Sequence, residues 1–184
     1  MNTWSKSDAD LTFVSYLFNT EPNFSNSLSF ESPYWTKLPS MLLNESVKSN
    51  WLHIFIEDDK MKNSTVASKS LKAFNKKSSG QQCHAVLANF LSWSVILSTM
   101  KDWLKVSLKG FFLKSRVKRL KCIKSYWPLI ENDWANSLYG QSGIKNVLFF
   151  NLFEEALSYL KTQRVCVYLM ENQGWEIGLL KAWK

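Results

Sequence analysis

A helix-rich α/β fold built on a parallel sheet is what this 184-residue sequence predicts. Three observations carry that reading. Short apolar runs rich in aromatic and β-branched residues alternate with longer stretches of helical periodicity, the pattern of strands joined by helical crossovers. Hydrophobic residues make up 46% of the chain and charged ones 21%, enough apolar surface to offset the entropy of ordering. Glycine is scarce, at 6 residues, which argues against a turn-dense β sandwich.

The elements follow in order. Leu11 to Phe18 reads as a buried strand, and Asn19 to Pro33 as a loop by its Ser, Asn and Pro content. Tyr34 to Val47 predicts a short helix interrupted at Pro39. Asn50 to Ile56 is a second strand, ending in the acidic cluster Glu57, Asp58 and Asp59. A helix over about Thr65 to Lys76 leads to a break at Ser78-Ser79-Gly80. From His84 the period becomes helical, with Trp93, Ile96, Leu97, Met100, Trp103, Leu104, Leu108, Phe111 and Phe112 at spacings of three and four. One helix from 84 to 124 would be roughly 60 Å long, so a break is expected near Gly110. Further helices are expected from Pro128 and over Phe149 to Leu160, with a turn at Gly140 to Gly143 between them. Arg164 to Met170 is the third strand, and Asn172 to Lys184 turns helical again. The apolar residues Ile177, Leu179, Leu180 and Trp183 cannot all face one buried stripe, so self-association is expected of whatever stays open.

The formal charge of +8 has one source. Between Lys101 and Lys124 lie nine basic residues and the lone acid Asp102, while the rest of the chain balances. Lys101, Lys105 and Lys109 stand four apart on one helix face, with Arg116 and Arg119 beyond. Interleaved with Trp103, Phe111 and Phe112, they suit an anionic membrane surface as well as they suit plain solvation. Nucleic acid is disfavoured, because no reading motif accompanies the charge. The span from Ala85 to Met100 is too short and too polar to cross a bilayer.

No glycine-rich phosphate loop, zinc set or nucleophile elbow is present, and no cofactor or metal is implied. Three widely spaced cysteines read as reduced thiols of a cytoplasmic protein, and the acidic start of the chain does not resemble a secretory leader. The sharpest local feature is Glu171-Asn-Gln-Gly-Trp-Glu176, just after the third strand. Ligands of parallel α/β folds bind beyond the carboxyl ends of strands, where a carboxylate, two amides and an indole can hold a sugar. The alternative is a helix start, with Asn172 as cap, Glu176 favouring the dipole and Trp175 packing.

Several segments, in order, resemble a bacterial family of surface-carbohydrate biosynthesis proteins. They are Ser15-Tyr16, Ser32-Pro-Tyr-Trp35 with Leu38-Pro39, Asn50-Trp-Leu-His-Ile-Phe55, Phe90-Leu-Ser-Trp93, Ser125-Tyr-Trp-Pro128, Asn151-Leu-Phe-Glu-Glu155 and Glu171-Asn-Gln-Gly-Trp-Glu176. The resemblance implies a GT-B glycosyltransferase architecture of two Rossmann-like domains, working in O-antigen or capsule assembly at the cytoplasmic face of the inner membrane. It implies that residues 1–184 are one incomplete N-terminal Rossmann-like domain with a basic helical insertion at about 84–124. This acceptor-side part would be inactive alone, because the nucleotide-sugar donor binds the second domain. The acceptor would be a glycan or lipid-linked glycan. Glu171 is then the candidate base, with Asn172, Gln173, Trp175, Ser15, Tyr16 and Tyr34 lining the acceptor site. Glu57, Asp58 and Asp59 are weaker candidates. The competing expectation is a non-enzymatic peripheral membrane or scaffold protein built on the basic helix.

Overall fold

The computed structural model describes residues 3–18, 20 and 30–183, so most of the loop expected between Asn19 and Pro33 lies outside it. The chain forms two compact units. One comprises Met1–Leu91, Glu154–Asn172 and Trp183–Lys184, the other Ser92–Phe153 and Gln173–Ala182.

The first unit holds a four-stranded, all-parallel sheet. Its strands are β1 (Leu11–Leu17), β2 (Ser49–Phe55), β3 (Gln82–Val86) and β4 (Val165–Tyr168), in the spatial order β3-β2-β1-β4. This is the helix-rich parallel α/β class that the element order predicts, with a Rossmann-like strand order. The two central strands are almost continuously buried, which is why their large apolar residues do not simply alternate with exposed polar ones. Phe13 and Trp51 face each other in register and stack with ring centroids 4.2 Å apart.

Helix α1 (Leu38–Asn44) corrects the expectation at Pro39: the proline lies in the first turn and starts the helix, where its missing N–H costs nothing. Helix α2 (Ser64–Lys77) crosses from β2 to β3, capped by Asn63, whose side chain accepts from the Val66 N–H at 2.9 Å. Its buried Ala67, Leu71 and Phe74 join Leu17, Phe30, Met61 and Val86 in one apolar cluster.

Strand β3 is the element missing from the sequence reading, which assigns His84 and its successors to a helix. Gln82-Cys-His-Ala-Val86 is only five residues long and carries Gln82 and His84 among its apolar residues, so no apolar run marks it. Its pairing with β2 makes it a strand, and a side chain secures its far edge. Asn75 of α2 donates from Nδ2 to the His84 carbonyl at 2.7 Å and accepts from the His84 N–H at 2.8 Å. Ser78 Oγ donates to the Gln82 carbonyl at 2.8 Å, so side chains satisfy backbone groups that an edge strand would otherwise leave unpaired.

Behind that edge His53 and His84 are both buried, with Nε2 of the first 3.0 Å from Nδ1 of the second. The rings stack on each other, and Phe30 lies against both of them. Burial pushes His53 down to about 3. His84 is held well below the usual 6.5, by burial first and then by His53.

The second unit is helical, with α3 (Trp93–Lys118), α4 (Lys121–Lys124), α5 (Trp127–Leu138), much of α6 (Gln141–Ser158) and α7 (Gly174–Ala182). Ser92 caps α3 by accepting from the Val95 N–H at 3.2 Å, so the basic helix begins later than residue 84. The break expected at Gly110 does not occur: α3 runs through it for 26 residues, about 39 Å at 1.5 Å per residue. Gly110 is buried where a Cβ would lie 2.4 Å from Leu138 Cδ1, so the glycine admits α5 rather than ending α3. Ser107 donates to the Leu138 carbonyl at 2.8 Å beside it. The expected turn at Gly140 to Gly143 is shorter than foreseen, since α6 already starts at Gln141. In α7 Leu179 is buried while Ile177 and Leu180 stay exposed, as the spacing requires.

Two predictions follow from the edge and the histidine pair. Asn75→Ala leaves the buried His84 backbone groups without their partner and should cost about 2–4 kcal/mol in urea denaturation. Keeping both histidines neutral contributes stability that is fully present above about pH 6.5 and is lost as pH falls toward 3, because the unfolded chain protonates first. Between pH 6.5 and 5, above the carboxylate range, the unfolding free energy should fall by up to about 1.4 kcal/mol per pH unit for each ring. His53→Phe should remove one ring's share, and a flat profile for the unaltered chain would show that the rings protonate within the fold.

Candidate functional site

Strand order locates the place to look. The crossovers β1 to β2 and β2 to β3 step outward on one side of β1, and β4 then joins its other side. The loops leaving β1 and β4 therefore diverge at the carboxyl edge of the sheet, the position at which parallel α/β proteins take ligands.

The turn that follows β1 is built by Ser32-Pro33-Tyr34-Trp35. Ser32 pairs with Thr36 in an isolated antiparallel bridge, and its Oγ accepts from the Tyr34 N–H at 3.3 Å. Its carbonyl accepts from the Trp35 N–H at 3.2 Å and the Thr36 N–H at 2.9 Å. Thr36 adopts φ 46°, in the left-handed region, so the turn is tight. The Trp35 indole N–H donates to Ser15 Oγ at 2.8 Å, and its ring packs edge-on against Phe13 and Trp51. Ser15 itself is buried in β1. Tyr16, next along the strand, lies 5.9 Å ring to ring from Tyr34.

Glu171 lies three residues beyond the end of β4 and is exposed. It acts electrostatically on Tyr34, whose phenol is raised above its usual 10.0 by burial first and by the Glu171 charge second. Four of the residues proposed from sequence, Ser15, Tyr16, Tyr34 and Glu171, are thus gathered at one edge of the first unit. Trp35 serves that edge mainly from beneath, by holding Ser15.

The rest of the Glu171 motif divides differently. Asn172 is exposed at φ 57°, a left-handed conformation that Asn tolerates. It is not the helix cap. Gln173, exposed, takes that place, with its N–H donating to Glu176 Oε1 at 2.8 Å, the returning half of a capping box. Trp175 is buried 6.1 Å from Phe153 within the helical unit, so its ring packs and is not an open platform for a sugar. Spacing alone could not separate these roles, because a helix start and a ligand loop use the same polar residues.

Asp58 also proves structural, its Oδ1 accepting from the N–H groups of Lys60 at 2.9 Å and Met61 at 2.7 Å. Glu57 and Asp59 are exposed beside it. At the opposite, amino edge of the sheet a cavity of about 250 Å³ is lined by Lys6, Asp8, Lys48, Gln82 and Cys83 among others. Burial pushes the Cys83 thiol up to about 11 and Cys166 up to about 12, so neither supplies a thiolate nucleophile near neutral pH. Among the described residues no three His, Cys, Asp or Glu side chains are grouped to hold a metal ion.

Lys101, Lys105 and Lys109 are exposed on α3, Arg116 in its last turn and Arg119 just after it. Among the described residues no helix is long and apolar enough to cross a membrane.

Compared with models of protein families, with curated proteins and with solved structures, the chain matches none.

Replacing Glu171 by Gln removes the negative charge that opposes Tyr34 ionisation, so the Tyr34 phenol should titrate lower. It should stay above 10.0, because burial is the larger cause. Ring-labelled tyrosine NMR reads this directly, and an unmoved Tyr34 would separate the two residues.

Proposed function

We propose that this chain is the acceptor-side, Rossmann-like part of a glycosyltransferase of surface-polysaccharide assembly, with the acceptor glycan seated at the carboxyl edge of β1 and β4. One observation carries the reading: Ser15, Tyr16, Tyr34 and Glu171, which lie in segments resembling the carbohydrate-biosynthesis family, cluster at the strand-order switch.

The chemistry follows from the residue types. Tyr16 and Tyr34 are half-buried, each with an apolar ring and a polar hydroxyl, suited to a pyranose that offers a C–H face and a hydroxyl edge. Glu171, exposed beside them, is a carboxylate able to take the proton from an acceptor hydroxyl. That oxygen then bonds the anomeric carbon of a nucleotide sugar as the carbon–phosphate-oxygen bond breaks and the nucleoside diphosphate leaves. In a GT-B architecture that donor is held by a second domain, across a cleft from the acceptor. The setting is the cytoplasmic side of the inner membrane.

Oligosaccharide fragments of O-antigen and capsule, titrated into the ¹⁵N-labelled chain, should shift the amide signals of residues 15–17, 34–36 and 169–172. Tyr34→Ala should weaken binding about tenfold or more, and Glu171→Gln should leave it nearly unchanged, since the base acts on the reacting proton rather than on the ground state. Shifts confined to other surfaces, or none, would overturn the reading.

A further inference from the structure

Helix α3 carries two apolar faces, and only one is used inside the protein. Placed at 100° per residue, Val95, Thr99 and Gly110 fall on one side, and all three are buried. The opposite side bears Trp93, Leu97, Met100, Leu104, Leu108 and Phe111, spaced by four, three, four, four and three residues, within an arc of about 80°. All six are exposed, Met100 least at 42% and Trp93 most at 80%. Their row is about 27 Å long at 1.5 Å per residue. Single exposed leucines are ordinary, but a continuous row of six large apolar side chains marks an interaction surface.

The charges choose the partner. Lys101, Lys105, Lys109 and Arg116 fall in the next quadrant of the same helix, along one flank of the row, and all four are exposed. The single acid of α3, Asp102, is 3.2 Å from Lys105. A second copy laid on this face would bring two basic flanks together. A nucleic acid would meet the lysines and leave six apolar side chains in water. An anionic bilayer surface satisfies both, the apolar row entering the acyl boundary while lysines and arginine reach headgroup phosphates.

We propose that α3 is an in-plane membrane anchor: it lies flat on an anionic bilayer with Trp93, Leu97, Met100, Leu104, Leu108 and Phe111 immersed and Lys101, Lys105, Lys109 and Arg116 at the headgroups. This stands independently of the glycosyltransferase reading, since it uses neither the sheet edge nor Glu171.

The test uses the full chain and vesicles of phosphatidylcholine, with or without phosphatidylglycerol. Binding should require phosphatidylglycerol and weaken as salt rises. The triple variant Lys101→Gln, Lys105→Gln, Lys109→Gln should bind about a hundredfold more weakly, at ~1 kcal/mol per basic residue. Phe111→Glu and Leu104→Glu should each cost about tenfold or more, with unchanged circular dichroism showing that the exposed positions tolerate the change. Brominated acyl chains should quench the part of the tryptophan emission that Trp93→Phe removes. Equal binding to both vesicle types, or binding indifferent to Phe111→Glu, would overturn the anchor. So would a dimer abolished by Leu104→Glu without vesicle binding, or tight salt-sensitive binding to DNA in its place.

Discussion

Strand β1 pairs on one side with β2 and on the other with β4, Leu11 standing in register with both Ser49 and Val165. The β2 pairing is local and extends over seven residues, whereas the β4 pairing spans four and draws together segments from opposite ends of the chain. The candidate site at the carboxyl edge depends on that second pairing. It sets Glu171 beyond the end of β4 within electrostatic reach of Tyr34, on the turn that follows β1. Closing so long a loop carries an entropic cost, one that grows only slowly with its length. Side chains of the same unit reinforce the closure: the Trp4 indole donates to the Ala156 carbonyl at 2.7 Å, and Thr162 donates to the Ala9 carbonyl at 3.1 Å.

The layer beneath this edge is aromatic, and that has consequences for how firmly the edge is held. Trp35, Phe13, Trp51, Phe30, His53 and His84 form a continuous set of ring contacts across the β1, β2 and β3 face. Large rings bury much area at low side-chain entropy cost, so a small sheet gains a rigid floor. The Trp35–Ser15 hydrogen bond joins that floor to the loop carrying Tyr34. The histidines belong to the same floor as neutral, buried aromatic rings: His53 Nε2 meets His84 Nδ1, while His53 Nδ1 and His84 Nε2 are buried without a hydrogen-bond partner among the described residues.

The helical unit follows a different logic. Its α3–α5 contact is close where Gly110 meets Leu138, and ionic at the periphery, where Lys114 meets Glu131 at 2.9 Å. Lys114 and Lys118 also stand 5.9 Å above the Trp127 ring, so part of the basic charge is committed internally. The lysines at 101, 105 and 109 lie on the flank of the exposed apolar row, and this separation gives α3 a defined outer face.

The sequence by itself determined the class of fold, three of the four strands to within two residues, the position of Glu171 past the last of them, and the concentration of charge in one segment. Each of these rests on composition or on a period within a single segment, which is a local property. Tertiary structure decided what depends on a distant partner. Gln82 to Val86 is a strand because β2 pairs with it and Asn75 closes its edge, not because of its own pattern. Gly110 lies inside a helix, where Leu138 fills the space a side chain would occupy. Trp175 and Gln173 are committed to packing and capping α7, while Tyr34 and Glu171, far apart in sequence, come within electrostatic reach of each other. A residue's type states which interactions it can make, and only the fold brings the partner that selects one of them.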